Sequence, residues 1–577
     1  MRGKVRLAAT IVLAATSLAA EEKRDLTQLS LEQLMDVEVV YAASKQEQNP
    51  RDAPSSITIV SAEQIEQFGY RNLGDILRSV RGFYVTNDRN YSYVGVRGFG
   101  RPGDYNTRIL LLIDGHKVND NIYESAMIGN EFPLDVALIE RVEVVRGPSS
   151  SIYGTNAFFA VVNVITRREP ATELAGEAAS YGTYRGRATG AINDGNTKAL
   201  ASASAMDSRG QQLFFREFDS PDTNFGITKH ADFERSRSAF LALSRGGLRV
   251  ESLYSWRDKG IPTGSYGTIF NDRRNKTTDG SAWLDVSYER AVRTDLTVQA
   301  RAHGDYYWYD GSYVFDYPPV VINEDRTRGQ WWGTELMFRS THFAKQTILA
   351  GGELQDNFKQ DQLNFDRDPY TSYLDERHDS RRWALYAQDE IRFGNRALLN
   401  VGARRDAYNF GSHVSPRAAL ILTPRHHTTM KLLYGEAFRA PNQYEIFYGS
   451  EVPLQLANPN LRPEKIKTYE AVLDRFFGSN VQLQTSAFVY TIDGLISLVT
   501  NEDESLQFRN AEHIHARGVE SQLSWRSTNG IATNLSYAWQ RSETADGSRL
   551  TNSPAHLAKL SVGVPTIHRL SGGMETQ

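Results

Sequence analysis

The sequence predicts a transmembrane antiparallel β-barrel preceded by a small α+β domain. Three observations lead there. Beyond the first twenty residues no stretch approaches the ~20 apolar residues that a membrane helix needs, and mean hydropathy is well below zero. From about residue 169 onward apolar and polar residues alternate: Val481, Leu483, Ala487 and Val489 share one row while Gln482, Gln484 and Ser486 share the other. Period two places one row toward lipid and one toward a wet interior, which hides a barrel's hydrophobicity from any sliding window. Finally, short turns such as Asp194-Gly195, Gly394-Asn395 and Gly478 to Asn480 alternate with longer polar segments, among them 207–232, 258–280, 310–326, 359–379 and 439–465. Short turns on one side and long loops on the other are the asymmetry of a membrane barrel.

Composition removes other classes. The 577 residues exceed one ordinary globular core. The absence of cysteine excludes disulfide frameworks, thiolate metal sites and cysteine nucleophiles. Basic residues are scattered among acids with a net charge of -4, so nothing forms the basic stripe that a nucleic-acid partner requires. The chain opens with Arg2, Lys4 and Arg6, an apolar run from Leu7 to Thr16 and a small-x-small site at Ser17-Leu18-Ala19, the layout of a secretory signal covering residues 1–19. Ser149, Ser150 and Ser151 do not make the Gly-x-Ser-x-Gly elbow of a hydrolase, and no catalytic residue is expected.

Residues 53–168 read as the α+β domain. Ile57 to Val60 form a strand, and Ser61 caps a helix in a capping box with Gln64 before Gly69 closes it. Asn72 caps a second short helix with Asp75 in its first turn. Ile109 to Ile113, Arg141 to Val145 and Val161 to Thr166 are further strands, the first ending at the Asp114-Gly115 turn.

Six blocks, in order, resemble the TonB-dependent outer-membrane receptor family of siderophore and cobalamin receptors. They are VRGFG at Val96 to Gly100, ILLLIDGHKV at Ile109 to Val118, and the run from Ile139 to Arg167. The other three run from Tyr434 to Gly449, Asn458 to Glu470 and Ala516 to Trp525. Departures from the family pattern occur at Phe158, Phe159 and Ala160, where small residues are common, and at Arg81, where Pro often stands.

The resemblance implies that the first domain is a plug inside the barrel, in the outer membrane of a Gram-negative bacterium. Import of a scarce metal chelate would be driven through the inner-membrane partner TonB, itself energised by ExbB and ExbD. A ferric siderophore is the expected ligand; cobalamin, a passive porin or adhesin, and a non-functional truncated receptor are the alternatives. Residues 20–52 would form the periplasmic segment. Within it Val37, Glu38, Val39, Val40, Tyr41 and Ala42 are the candidate TonB box, an unpaired strand suited to recognition by strand addition, with Ser44 to Asp52 as its flexible tether.

The plug apex offers Arg89, Tyr91, Tyr93, Arg101, Tyr105 and Tyr123, a cationic and aromatic set suited to an anionic chelate. Candidate ion pairs between plug and wall draw on Arg97, Arg146, Glu436, Glu470 and Glu520, the alternative being ordinary solvated lumen charges. No cofactor or resident metal is expected; outer-membrane lipid is the remaining partner. Parity through the turns gives about 18 strands of an expected ~22, ending at Ala555 to Val564. The expectation is a barrel truncated at its C-terminus with a gap between first and last strands.

Overall fold

A computed structural model of the chain describes residues 31–32, 39–168, 171–409, 411–451, 454–567 and 570–577. The expected signal segment lies outside these residues, as do Val37 and Glu38.

The plug is built around a sheet of β1 (Ser56–Ser61), β4 (Ile109–Ile113), β5 (His116–Lys117), β6 (Ile139–Arg146) and β7 (Ala160–Thr166), in the order β1-β6-β7-β4-β5. A separate hairpin pairs β2 (Phe83–Asn87) with β3 (Ser92–Val96). Helix α1 (Ala62–Phe68) has the expected capping box between Ser61 and Gln64 and ends at Gly69, φ 66°. A left-handed residue there favours glycine because it lacks a Cβ. Helix α2 (Leu73–Ser79) is capped by the Asn72 side chain, which accepts from the Asp75 N–H. Both sheet faces are apolar. Leu111, Ile113, Val142, Val144, Val162 and Val164 pack with Ile65, Leu73, Ile76 and Leu77 of the helices, and Leu110, Leu112, Val145 and Val161 cover the opposite face.

Around the plug runs an antiparallel sheet from Glu173–Ala179 to Leu570–Thr576, ordered as a closed barrel. The predicted alternation is plain in Glu464–Phe477: Ile466, Thr468, Glu470, Val472 and Asp474 are buried toward the plug, while Tyr469 and Phe477 face outward. Short turns join Arg245 to Leu248, Phe393 to Ala397, Arg425 to Thr428 and Phe477 to Val481. The segments expected as loops at 310–326 and 359–379 differ. They are continuations of Leu296–Phe315, Val321–Ser340, Gln346–Arg367 and Tyr370–Phe393, strands of 20 to 24 residues. Roughly 10 residues cross a membrane, so these strands project well past it with their polar ladders intact.

The end of the chain also departs from expectation. His556–Ile567 is the strand at which parity counting stopped, but Leu570–Thr576 adds a further strand paired antiparallel to it. The sheet order then brings Leu570–Thr576 beside Glu173–Ala179, so the gap expected between first and last strands is not found. The plug reinforces this seam. Tyr70 Oη donates to Glu575 Oε1 at 2.5 Å, Gln67 Nε2 donates to the Val564 carbonyl at 2.7 Å, and Arg71 pairs with Glu177 on the first strand.

Candidate functional site

Two regions at opposite ends of the plug define the site. At the end carrying the projecting strands, a cavity of about 580 Å³ lies between plug and wall. The plug contributes Tyr91 just before β3, Tyr105 before β4, and Tyr123, Ser125 and Met127 from the loop that follows β5. The wall contributes Tyr307, Tyr309, Tyr313, Asp325, Asn364 and Asp366, and a short helix α3 (Gln443–Phe447) supplies Tyr444. The rings brace one another. Tyr105 meets Tyr91 and Tyr123 with centroids 5.7 Å apart, and Tyr123 lies 5.4 Å from Tyr444. Edge and tilted contacts of this kind suit the quadrupoles of the rings and fix the walls.

Of the apex residues named from sequence, the structure brings Tyr91, Tyr105 and Tyr123 together here. It does not bring the others. Tyr93 is buried behind Tyr105, its hydroxyl donating to Asp88 at 2.8 Å. Arg89 lines a separate cavity of about 240 Å³. Arg101 is committed to the wall through Glu512 at 3.0 Å, the Ser497 hydroxyl at 2.8 Å and the Ile496 carbonyl at 3.2 Å. The expected cationic half of the set is therefore absent from the cavity, because sequence proximity to the apex does not fix which way a long side chain runs.

At the other end lies the candidate coupling segment. Glu32 there donates its backbone N–H to the Ser479 carbonyl in a short turn, which places this end on the short-turn side of the barrel. The segment is not the free strand expected. Val40 and Gln48 exchange backbone hydrogen bonds of 2.9 and 3.1 Å, and Val40, Ala42 and Ala43 are buried against Leu110, Leu112 and Val145. The carboxylate of Glu143 on β6 accepts the N–H groups of Tyr41 at 3.0 Å and Ala42 at 2.9 Å. Val39 alone of the described box residues is exposed.

Nor is Ser44 to Asp52 a loose tether. Lys431 donates to the carbonyls of Pro50 and Ala53, both at 2.8 Å, Arg417 donates to the Ala43 carbonyl at 3.1 Å, and Lys45 pairs with Glu335 and Glu353. Buried carbonyls need donors, and the wall supplies them.

The plug–wall charges are partly those expected. Arg97 grips Glu470 through two nitrogens and lies 3.6 Å from Glu520. Arg146 and Glu436 do not join them. Arg146 turns inward to the hydroxyls of Ser56 and Thr58. Glu436 falls in the outward row of Thr428–Arg439 with Met430 and Leu432, facing Lys467 at 3.5 Å, since period two separates it from the lumen-facing Ala437 and Arg439.

Other anchors escaped sequence reading. Arg81, the departure from the family pattern, is fully buried 3.7 Å from Glu520. Arg108 forks onto Glu464, which also accepts from Arg439. Lys559 donates to the carbonyls of Arg78 and Val80 and so caps the C-terminal end of α2. His116 bridges Asp285 at 3.0 Å and Asp305 at 2.9 Å. Burial disfavours its imidazolium, but the two carboxylates outweigh burial and hold its pKa up at about 9. Phe159, another departure, stacks edgewise on Tyr490 of the wall at 5.6 Å.

A plug filling a β-barrel, tied to its wall by buried arginine–glutamate pairs and carrying an aromatic cavity at one end, is the architecture of a gated outer-membrane receptor. The family comparisons agree. The TonB dependent receptor-like beta-barrel model matches residues 174–571, and the TonB-dependent Receptor Plug Domain model matches residues 49–161. The chain belongs to the TonB-dependent receptor family. It is 25% identical over 586 aligned positions to the Iron-regulated outer membrane virulence protein of Vibrio cholerae serotype O1, covering 93% of this chain and 83% of that one.

Solved structures share the fold. FpvA of P. aeruginosa bound to a heterologous pyoverdine matches with a TM-score of 0.73 at 14% identity, over 96% of this chain and 79% of that chain. The ferric yersiniabactin uptake receptor FyuA of Yersinia pestis matches with a TM-score of 0.69 at 16% identity, over 90% and 84%.

Proposed function

We propose that this receptor imports a ferric siderophore across the outer membrane of a Gram-negative bacterium, driven by TonB. The observation that carries the reading is the arrangement of two sites on one plug: an aromatic cavity of about 580 Å³ at the projecting end and a latched N-terminal segment at the short-turn end. Tyr91, Tyr105 and Tyr123 act as the plug's share of the ligand site, and Val37 to Ala42 as the segment that TonB captures by strand addition. The relative in Vibrio cholerae is an iron-regulated outer membrane protein, and solved neighbours include a receptor bound to a pyoverdine–iron complex and a ferric yersiniabactin uptake receptor. Both support iron as the cargo.

Ligand at the apex biases the plug toward a state in which the segment leaves Glu143 and enters the periplasm. A pull by TonB then remodels the plug. Arg97 with Glu470 and Arg108 with Glu464 hold the plug in register with the wall until that point. The test is uptake of radiolabelled iron, presented as a panel of ferric siderophores, by receptor-deficient cells complemented with this chain. Uptake of at least one chelate that stops on deletion of TonB supports the reading. Uptake indifferent to TonB would make the chain a passive pore and end it.

A further inference from the structure

The charges of the cavity select among ferric chelates, an inference that rests on the importer reading above and narrows it. Among the described residues no lysine or arginine lines the cavity, whereas Glu131, Asp279, Asp325 and Asp366 do. One arginine backs the lining: Arg257 pairs with Glu234 at 2.6 Å and lies 3.6 Å from Asp279, which it partly offsets. Other arginines are committed to acids outside the cavity, Arg326 and Arg367 to Glu324 and Arg328 to Asp310 at 2.8 Å. Asp366 is satisfied by neutral donors, Asn323 Nδ2 at 3.0 Å and Tyr373 Oη at 2.7 Å.

Asp325 differs from the other three. Its Oδ2 accepts from Tyr448 Oη at 3.1 Å, but its Oδ1 is a buried atom with no hydrogen-bond partner, and among the described residues no cation pairs with it. An unpaired carboxylate oxygen shielded from water carries a large desolvation cost unless a donor arrives. The tyrosines around it act in the same direction, because the negative face of an aromatic ring attracts cations and repels anions.

We infer that the cavity takes a ferric chelate of neutral or positive net charge bearing a protonated amine, which Asp325 receives among the tyrosine rings. Three hydroxamates leave a ferric core neutral, so a trihydroxamate with one free ammonium carries a single positive charge. Three catecholates leave the core with three negative charges. That ligand would enter a site with four carboxylates in its lining, of which only Asp279 faces a cation among the described residues, and is rejected.

The experiment uses the full chain purified in detergent, with binding followed by quenching of intrinsic fluorescence. The probes are a linear ferric trihydroxamate with a free ammonium, the same chelate with the amine acetylated, and a ferric tris-catecholate. The ammonium form binds at least about tenfold more tightly than the acetylated form, the loss expected for one charge-assisted hydrogen bond, and the tris-catecholate binds most weakly. In Asp325→Asn the ammonium form weakens to the level of the acetylated form, while the acetylated form keeps its affinity and so reports an intact site. Tris-catecholate binding as tight as that of the ammonium form, or discrimination that survives in Asp325→Asn, overturns the inference and leaves the importer reading standing. Failure of all three ferric chelates to bind also overturns the inference, and the importer reading is then decided by the uptake panel alone.

Discussion

Replacing Glu143 by glutamine tests the latch on the coupling segment. One oxygen of that fully buried carboxylate accepts two backbone N–H groups, from Tyr41 and Ala42, while the other accepts from Arg141 at 2.8 and 3.0 Å. Glutamine keeps the shape and one acceptor oxygen but loses the charge. A hydrogen bond to an ionised group contributes about 1.5–3 kcal/mol, roughly twice its neutral counterpart, so two weakened bonds cost the docked segment about 1.5–3 kcal/mol.

On the proposed reading TonB binds only a released segment, so its apparent affinity is lowered by the fraction still docked. Weakening the dock by that amount therefore tightens TonB binding to unliganded receptor by about 10- to 150-fold. The assay is a titration of the periplasmic domain of TonB against purified receptor without ligand, with the thermal midpoint checked in parallel. An unchanged TonB affinity in Glu143→Gln, with the fold intact, would refute the argument that Glu143 withholds the segment.

Val39→Pro removes an amide from the exposed residue of the segment; iron uptake stops while ligand affinity measured on the purified variant is unchanged. Glu470→Ala leaves Arg97 its looser contact to Glu520 and the face of the Phe488 ring, and breaking a buried pair on one side costs about 3–5 kcal/mol, read as a fall in the thermal midpoint. His116 has a folded pKa of about 9 against an ordinary value of 6.5, equivalent to about 3 kcal/mol. A raised pKa means that this stability is fully present below pH 6.5 and is lost as pH rises through 9. The gap in thermal midpoint between the natural chain and His116→Gln is therefore widest at pH 6 and mostly closed at pH 10. Tyr123→Ala removes the ring that contacts Tyr105 and Tyr444 and weakens ligand binding by about tenfold.

The sequence made the architecture legible where physical periodicity is strong. Alternation from Val481 to Val489 gave the wall, and the capping box at Ser61 with Gly69 gave the first plug helix. Polarity misled at the outer hairpins and at the end of the chain. Leu296–Phe315 to Tyr370–Phe393 stay in ladders where polar composition suggested loops, and Leu570–Thr576 extends the sheet through a run that looked like a tail. At the site, tyrosines were read better than arginines. A ring near the apex has few ways to avoid the cavity, whereas a long guanidinium goes wherever a carboxylate waits: Arg101 went to Glu512, and Arg146 went back into the plug. Arg81 and Arg108 gave no local signal because their partners, Glu520 and Glu464, lie hundreds of residues away.

The distribution of these partners bears on how an event at the cavity reaches the latch. Glu353 on the wall holds Lys45 of the coupling segment at 2.9 Å, Lys117 of β5 at 2.8 Å, and Arg404 at 2.9 Å. Strand β5 is joined to β4, which pairs in parallel with β7, and β7 carries Asn163 next to Glu143 across the sheet. The loop after β5 carries Tyr123 into the cavity. A displacement of that loop by ligand would act on Lys117, which shares the Glu353 carboxylate with Lys45, Lys117 on Oε2 and Lys45 on Oε1. Two of the contacts that hold the segment, those to Glu143 and Glu353, thus also touch the strands leading to the ligand. Such shared partners give each site a bias on the other without any large motion of the barrel, and the coupling is reciprocal: if ligand favours release of the segment by a given factor, capture of the released segment by TonB must strengthen the grip on the ligand by that same factor. Measuring chelate affinity with and without the TonB domain, in the natural chain and in Lys45→Met, gives the sign directly.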